Sequence, residues 1–158
     1  MKTLIVYYSA QWHTKTIAEL IAKELGADLF EVKPAKAYTE ADLDYTDGSS
    51  RVYREHKDEE LRKVALETTD VPGWDNYERV VVMYPVWWAI AAWPLSSFVT
   101  SVDFGDKIIY PVAVSHSSPL GKSGEALASA AKGGNWQEGI RFSQDAGEAE
   151  IKKWTDSL

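Results

Sequence analysis

Leu4 to Leu25 reads LIVYYSAQWHTKTIAELIAKEL, and this stretch decides the fold. Leu4-Ile5-Val6-Tyr7-Tyr8 is an unbroken apolar run of β-branched and aromatic residues, the pattern of a strand buried on both faces. A polar loop follows at Ser9-Ala10-Gln11-Trp12-His13-Thr14-Lys15. Ile17, Leu20, Ile21 and Leu25 then recur at helical spacing, with Gly26 where a helix C-terminus favours positive φ. Strand, tight loop and helix form the first half of a βαβ unit. The start of such a helix carries unpaired N–H groups and the positive end of the macrodipole. With hydroxyls at Ser9, Thr14 and Thr16, the loop is a candidate phosphate cradle. The loop has neither G-x-G-x-x-G nor G-x-x-x-x-G-K-[ST], so neither a dinucleotide fingerprint nor a P-loop is supported there.

Further along, Asp28-Leu29-Phe30-Glu31-Val32 alternates as an edge strand does, and Pro34 ends it. The segment from Ala35 to Pro72 is harder to read. Ser49 or Ser50 is placed to cap a helix from about Arg51 to Glu67. Within it Val52, Leu61, Val64, Ala65 and Leu66 make a narrow apolar stripe. Arg54, Glu55, Lys57, Asp58, Glu59, Glu60, Arg62 and Lys63 read as its solvated face. Val80-Val81-Val82-Met83-Tyr84 is the most strand-like run and belongs in the centre of the sheet. Pro85-Val86-Trp87-Trp88-Ala89-Ile90-Ala91-Ala92-Trp93 follows as a loop, and Pro94 opens a helix carrying Leu95, Phe98, Val99 and Val102 inward. Lys107 to Val114 is a fourth strand, in which Pro111 is awkward for want of an N–H. Ser115 to Leu120 form a third loop, leading into a helix from about Gly121 to Ala131. Gly139 to Phe142 reads as a short fifth strand, and Asp145 with Glu148 as a capping pair for a last helix.

This alternation implies a parallel sheet covered by helices on both faces, in one domain spanning residues 1–158. Ligands of such sheets bind beyond the C-terminal ends of the strands. Three loops leave there, at residues 9–15, 85–93 and 115–121. One suits an anion and one offers a Trp pair to a flat ring, which together point to a nucleotide with a large planar system.

Bulk properties narrow the classes. The net charge of −7 argues against nucleic acid or an anionic membrane as the main partner. The absence of Cys excludes disulfides, thiolate catalysis and thiolate metal sites, and the three His residues lack metal-ligand spacing. No apolar run has the length of a membrane span, so a cytoplasmic protein is expected. His116-Ser117-Ser118-Pro119-Leu120-Gly121-Lys122-Ser123 ends like a P-loop, but His116 stands where that motif requires Gly. No G-x-S-x-G elbow is present.

Over essentially the whole chain the residues resemble the flavodoxin family, and more closely bacterial members with a Trp-Trp pair in the second loop. Ile5-Val6-Tyr7-Tyr8-Ser9 with Thr14-Lys15-Thr16-Ile17-Ala18 resembles that family's strand, phosphate loop and helix. Met83-Tyr84-Pro85-Val86-Trp87-Trp88 is similar to its ring-contacting loop, and Ser118, Leu120, Gly121 and Ser123 to its third loop. Gly133-Gly134-Asn135-Trp136, Gly139 and Arg141-Phe142-Ser143 fit its C-terminal pattern. The resemblance implies a three-layer, doubly wound flavodoxin-like sandwich on a five-stranded parallel sheet of order 2-1-3-4-5. It also implies non-covalent FMN and electron transfer to redox partner proteins with basic docking surfaces. The implied cofactor-binding residues are Ser9, Gln11, Trp12, His13, Thr14 and Lys15, then Pro85, Val86, Trp87, Trp88 and Ala89, then Ser115, His116, Ser118 and Gly121.

Departures from the family pattern fall in these loops. Gln11, Trp12 and His13 stand where Thr, Gly and Asn are usual, His116 and Ser117 replace glycines, and Ala89 replaces a Gly. A Cβ costs roughly 1–2 kcal/mol wherever the backbone turns left-handed. Two other readings stand beside the electron carrier: an NAD(P)H-dependent FMN reductase acting on quinones or similar acceptors, and a flavin-free interaction module.

Overall fold

The computed structural model describes residues 1–158. Thr3–Tyr7 forms β1, buried throughout, and His13–Leu25 forms α1, closed by Gly26 at φ 60°. Asp28–Glu31 is β2, which pairs only with β1 and so lies at the sheet edge. Arg79–Trp87 is β3, bonded in parallel to β1 on one side and to β5, Ile108–Ser115, on the other. Val80 to Tyr84 are wholly buried there, at the centre of the sheet as expected.

The sheet has seven strands where five were expected. Ile90–Ala91, β4, folds back antiparallel on the end of β3, so the expected 85–93 loop is in fact a hairpin. The last place in the sheet is shared by β6, Asn135–Trp136, and β7, Ile140–Ser143, both parallel to β5. With those two taken together, the order is the one the resemblance implied. Pro111 accounts for the interruption. Asn135 and Gln137 donate to the carbonyls of Lys107 and Ile109, so alternate β5 residues face this strand and Pro111 is the next in line. It has no N–H to give, and the strand breaks there, at Gln137–Gly139.

Alternation along β1 and β3 feeds two cores. Leu4, Val6, Val80 and Val82 pack with Leu95, Phe98 and Val99 of α3, Trp93–Val99, and with Leu127 of α4, Ser123–Ala130. Ile5, Tyr7, Val81 and Met83 pack with Ile17, Ala18 and Ile21 of α1 and with Ile151 of α5, Glu148–Thr155. Helices therefore cover both faces, the doubly wound arrangement. None of them is long and apolar enough to cross a membrane.

Three expectations need correction. The helix predicted over residues 51–67 ends early: α2 is Arg51–Lys57, capped by Ser50, and a separate 3₁₀ turn covers Glu59–Arg62. Asp58 makes the break, since it is extended and its carboxylate accepts the Glu60 N–H. Glu55 is not solvated but buried, because three polar groups of the fold converge on it. Asp145 and Glu148 form no capping pair; Gly147 precedes the first turn of α5 without a side-chain cap.

Gly139 shows how tightly the strand break packs. A Cβ there would lie 2.6 Å from the Pro111 carbonyl oxygen and 2.9 Å from its Cγ. Gly139→Ala is expected to lower the unfolding free energy by about 2 kcal/mol in urea denaturation.

Candidate functional site

A cleft of about 460 Å³ opens where β1, β3 and β5 end. Its size is that of a small-molecule site. Eleven of the residues singled out in the sequence line it: Ser9, Gln11, His13, Thr14, Pro85, Val86, Trp87, Trp88, Ser115, His116 and Ser118. The other four stay off its walls. Trp12 is 68% exposed, with its ring turned against that of His13, while Lys15, Ala89 and Gly121 are exposed outside the lining.

One end of the cleft is polar. Ser9 Oγ donates to the Gln11 carbonyl and accepts the Lys15 N–H, which folds the loop around the start of α1. Thr16 is drawn into the helix instead, since its hydroxyl and its N–H both donate to the Trp12 carbonyl. The N–H groups of His13 and Thr14 have no partner within the chain and belong to the positively polarised first turn. The third loop lines the same cleft and is held by Arg141 on β7. Arg141 Nε donates to Ser115 Oγ at 2.9 Å, and Nη2 donates to the carbonyls of Ser115 and His116 at 2.9 and 2.8 Å. Ser123 is not free to act as the hydroxyl of a P-loop. It is buried, donating to the Leu120 carbonyl and meeting Tyr84 Oη at 2.8 Å.

The other end is aromatic and stands on a buried polar group. Trp87 packs edge-on against Tyr8, Tyr38 and Trp93, with ring centroids 5.7, 5.5 and 4.8 Å away. Beneath these rings Glu55 Oε1 accepts from Trp93 Nε1 at 2.9 Å and from Tyr38 Oη at 2.5 Å. Its Oε2 accepts from Arg51 Nε at 3.1 Å. Burial, then the bond to Glu55, raises the Tyr38 phenol far above its ordinary value, so it remains the donor. Trp88 lies flat on His56, 4.1 Å away with the planes at 6°.

Trp88 and Ala89 form the tip of the hairpin between β3 and β4, at φ 47° and φ 67°. A two-residue turn with both φ positive matches the twist of its strands and normally selects Gly or Asn. Here two residues with Cβ atoms occupy it, so the lost glycine does sit at a left-handed position.

Leu43, Tyr45 and Val52 also line the cleft, as do Ala10, Ser117, Val114 and Gln144. The sequence reading assigned none of the first three to the site: Leu43 and Tyr45 fall where the 35–72 crossover carries no periodic pattern, and Val52 was read only as part of a narrow apolar stripe. Arg141 was visible only as part of a pattern, its contacts being made 26 residues away in sequence.

The chain matches the model of the Flavodoxin family over residues 2–158. It belongs to the flavodoxin family. Among solved structures of similar fold is a candidate flavoprotein from Bacteroides uniformis, 33% identical, with a TM-score of 0.90 over 98% of this chain and 97% of that one. Another, from Bacteroides eggerthii, is 31% identical, with a TM-score of 0.89 over 99% and 97%. The flavoprotein of Lactobacillus acidophilus, solved in complex with FMN, is 23% identical over 98% of both chains, with a TM-score of 0.71. No curated protein matches. Ala89, which stands where the resemblance implied a Gly, is left-handed at φ 67°.

Ala89→Gly removes the Cβ from that turn, and stability is expected to rise by about 1 kcal/mol on chemical denaturation. His56 sets a pH dependence. Its Nδ1 is buried without a partner, and burial, then Arg62 and Lys57, hold the imidazole below its ordinary 6.5. The unfolded chain takes up the proton first, so stability is expected to fall as pH drops below 6.5. In thermal melts at a series of pH values, His56→Gln should flatten that fall.

Proposed function

We propose that this chain binds FMN in the cleft and serves as an electron carrier. The observation that carries the reading is the division of the cleft. Unpartnered N–H groups at the start of α1, with Ser9 and Thr14, suit a phosphate, and the Trp87–Trp88 hairpin suits a flat ring. No Asp, Glu, Lys or Arg lines the cleft, so the donors offered to the phosphate are backbone amides, hydroxyls and the imidazoles of His13 and His116. The complex of the Lactobacillus acidophilus flavoprotein with FMN, on a similar fold, adds support.

When bound, FMN would supply the redox chemistry. The chain's own part is to bind, orient and shield. Arg141 holds the third loop in place at the cleft, and Trp87, locked among Tyr8, Tyr38 and Trp93, gives the aromatic end a wall that does not rearrange. The net charge of −7 favours encounter with protein partners that present basic surfaces.

The test is a visible spectrum of the purified protein and a titration with FMN. Flavin bands or quenched flavin fluorescence are expected, and Trp88→Ala should weaken binding about tenfold. A colourless chain that leaves added FMN fluorescent defeats the proposal. Steady NAD(P)H oxidation by the FMN-loaded protein alone would replace the carrier with a reductase.

A further inference from the structure

Ile140 and Phe142 of β7 pack towards α1 and α5, so Arg141 between them faces the other side of the sheet. Its register partner on β5 is Ala113, two residues before that strand ends at Ser115. From there the side chain reaches the third loop, where all its side-chain hydrogen bonds fall. Nε donates to Ser115 Oγ at 2.9 Å, and Nη2 to the carbonyls of Ser115 and His116 at 2.9 and 2.8 Å. Two further bonds tie the same corner. Ser115 Oγ donates to the Ser118 carbonyl, and the Gln144 N–H donates to the Ser115 carbonyl at 3.2 Å.

The charge on this guanidinium is permanent, and no carboxylate answers it. The ion pairs of the protein join other residues. Glu138 and Asp145, the carboxylates nearest along the chain, are exposed and belong to no ion pair. Arg51, behind the aromatic end, is by contrast neutralised by Glu55 at 3.1 Å. The cleft lining itself contains no Asp or Glu.

The two carbonyls that Arg141 grips belong to the peptide units whose N–H groups are those of His116 and Ser117. Neither N–H has a partner within the chain, and both residues line the cleft. A charge-assisted bond at a carbonyl oxygen draws electron density from its own amide nitrogen, which makes that N–H a stronger donor. Arg141 therefore lends the cleft positive potential twice over. One part is its own unpaired charge, and the other is a pair of amide dipoles that it fixes and strengthens.

We propose that Arg141 is a positioning residue that biases the cleft towards the reduced, more negative form of its flavin. The inference rests on the FMN reading above. Two-electron reduction takes both electrons from the redox partner protein and one proton from solvent, so the ring gains one negative charge. A fixed positive potential stabilises that form more than the neutral oxidised ring. Arg141 lies outside the lining and acts through the third loop.

The test compares affinities for oxidised and dithionite-reduced FMN with the midpoint potential of the FMN-loaded protein. Arg141→Gln should weaken binding of the reduced form about tenfold more than that of the oxidised form, lowering the two-electron midpoint by about 30 mV. Arg141→Lys keeps the charge and loses the fork. Both affinities should then fall, while their ratio stays within about twofold of the parent's. A Gln variant that weakens both forms equally makes Arg141 a structural clamp alone and overturns the proposal. So does a Lys variant whose ratio falls as far as that of Gln. One readout needs no flavin: in amide NMR spectra of the FMN-free protein, the His116 and Ser117 protons should move upfield in Arg141→Gln. Unmoved resonances overturn the polarised loop. A chain that ignores FMN while these resonances move sinks the flavin reading and leaves the polarised loop standing.

Discussion

The aromatic half of the site depends on one buried carboxylate. Glu55 is 7% exposed, and an isolated carboxylate taken that far out of water would cost several kcal/mol. The cost is met only because an indole N–H, a phenol and a guanidinium converge on its two oxygens. Those donors come from three separate segments: Trp93 opens α3, Tyr38 lies in the crossover after β2, and Arg51 is one turn earlier on α2. Satisfying Glu55 therefore fixes the crossover against the end of the sheet. It also sets the rings that surround Trp87. Arg51 is shared further, donating to the Lys36 carbonyl at 2.8 Å while its guanidinium lies 3.7 Å from the centre of the Tyr38 ring.

With that anchor in place, the Trp87–Trp88 hairpin tolerates a turn that its sequence does not favour. Positive φ at Trp88 and Ala89 costs free energy that Gly would avoid. The flanking pairs Val86 with Ala91 and Trp87 with Ile90, the Trp87 aromatic box and the Trp88–His56 stack offset it. The polar half is built differently. It uses few side chains and relies on main-chain geometry: the first turn of α1 and a Ser9 bridge across the loop. The third loop is held by an Arg141 clamp on the carbonyls of Ser115 and His116.

Legibility in the sequence followed burial. Strands such as Val80 to Tyr84 are unbroken apolar runs because both faces are covered, so their position and type could be read directly. Pro111 was recognised as awkward, but the interruption it leaves opposite, at Gln137–Gly139, depends on which side of β5 its missing N–H faces. Glu55 was misread because it sits in a run of charges whose other members are largely solvated. No local pattern distinguishes a carboxylate that meets three distant donors from one that meets water. The 39–50 loop was silent for a related reason, its order coming from short Asp and Thr turns that leave no hydrophobic period.

By itself the sequence determined the doubly wound sheet and the three loops that would bound a site, because periodicity and turn chemistry are local properties of the chain, while the strand order was implied by the family resemblance. Only the tertiary structure decided which of those loop residues share one cleft. It turned Trp12 outward, brought Tyr45 and Leu43 in from the crossover, and placed Arg141 and Glu55 under the loops they hold. The physical reason is that these choices rest on hydrogen bonds and ring contacts between segments tens of residues apart. The energy of such contacts exists only once the sheet has brought the segments together.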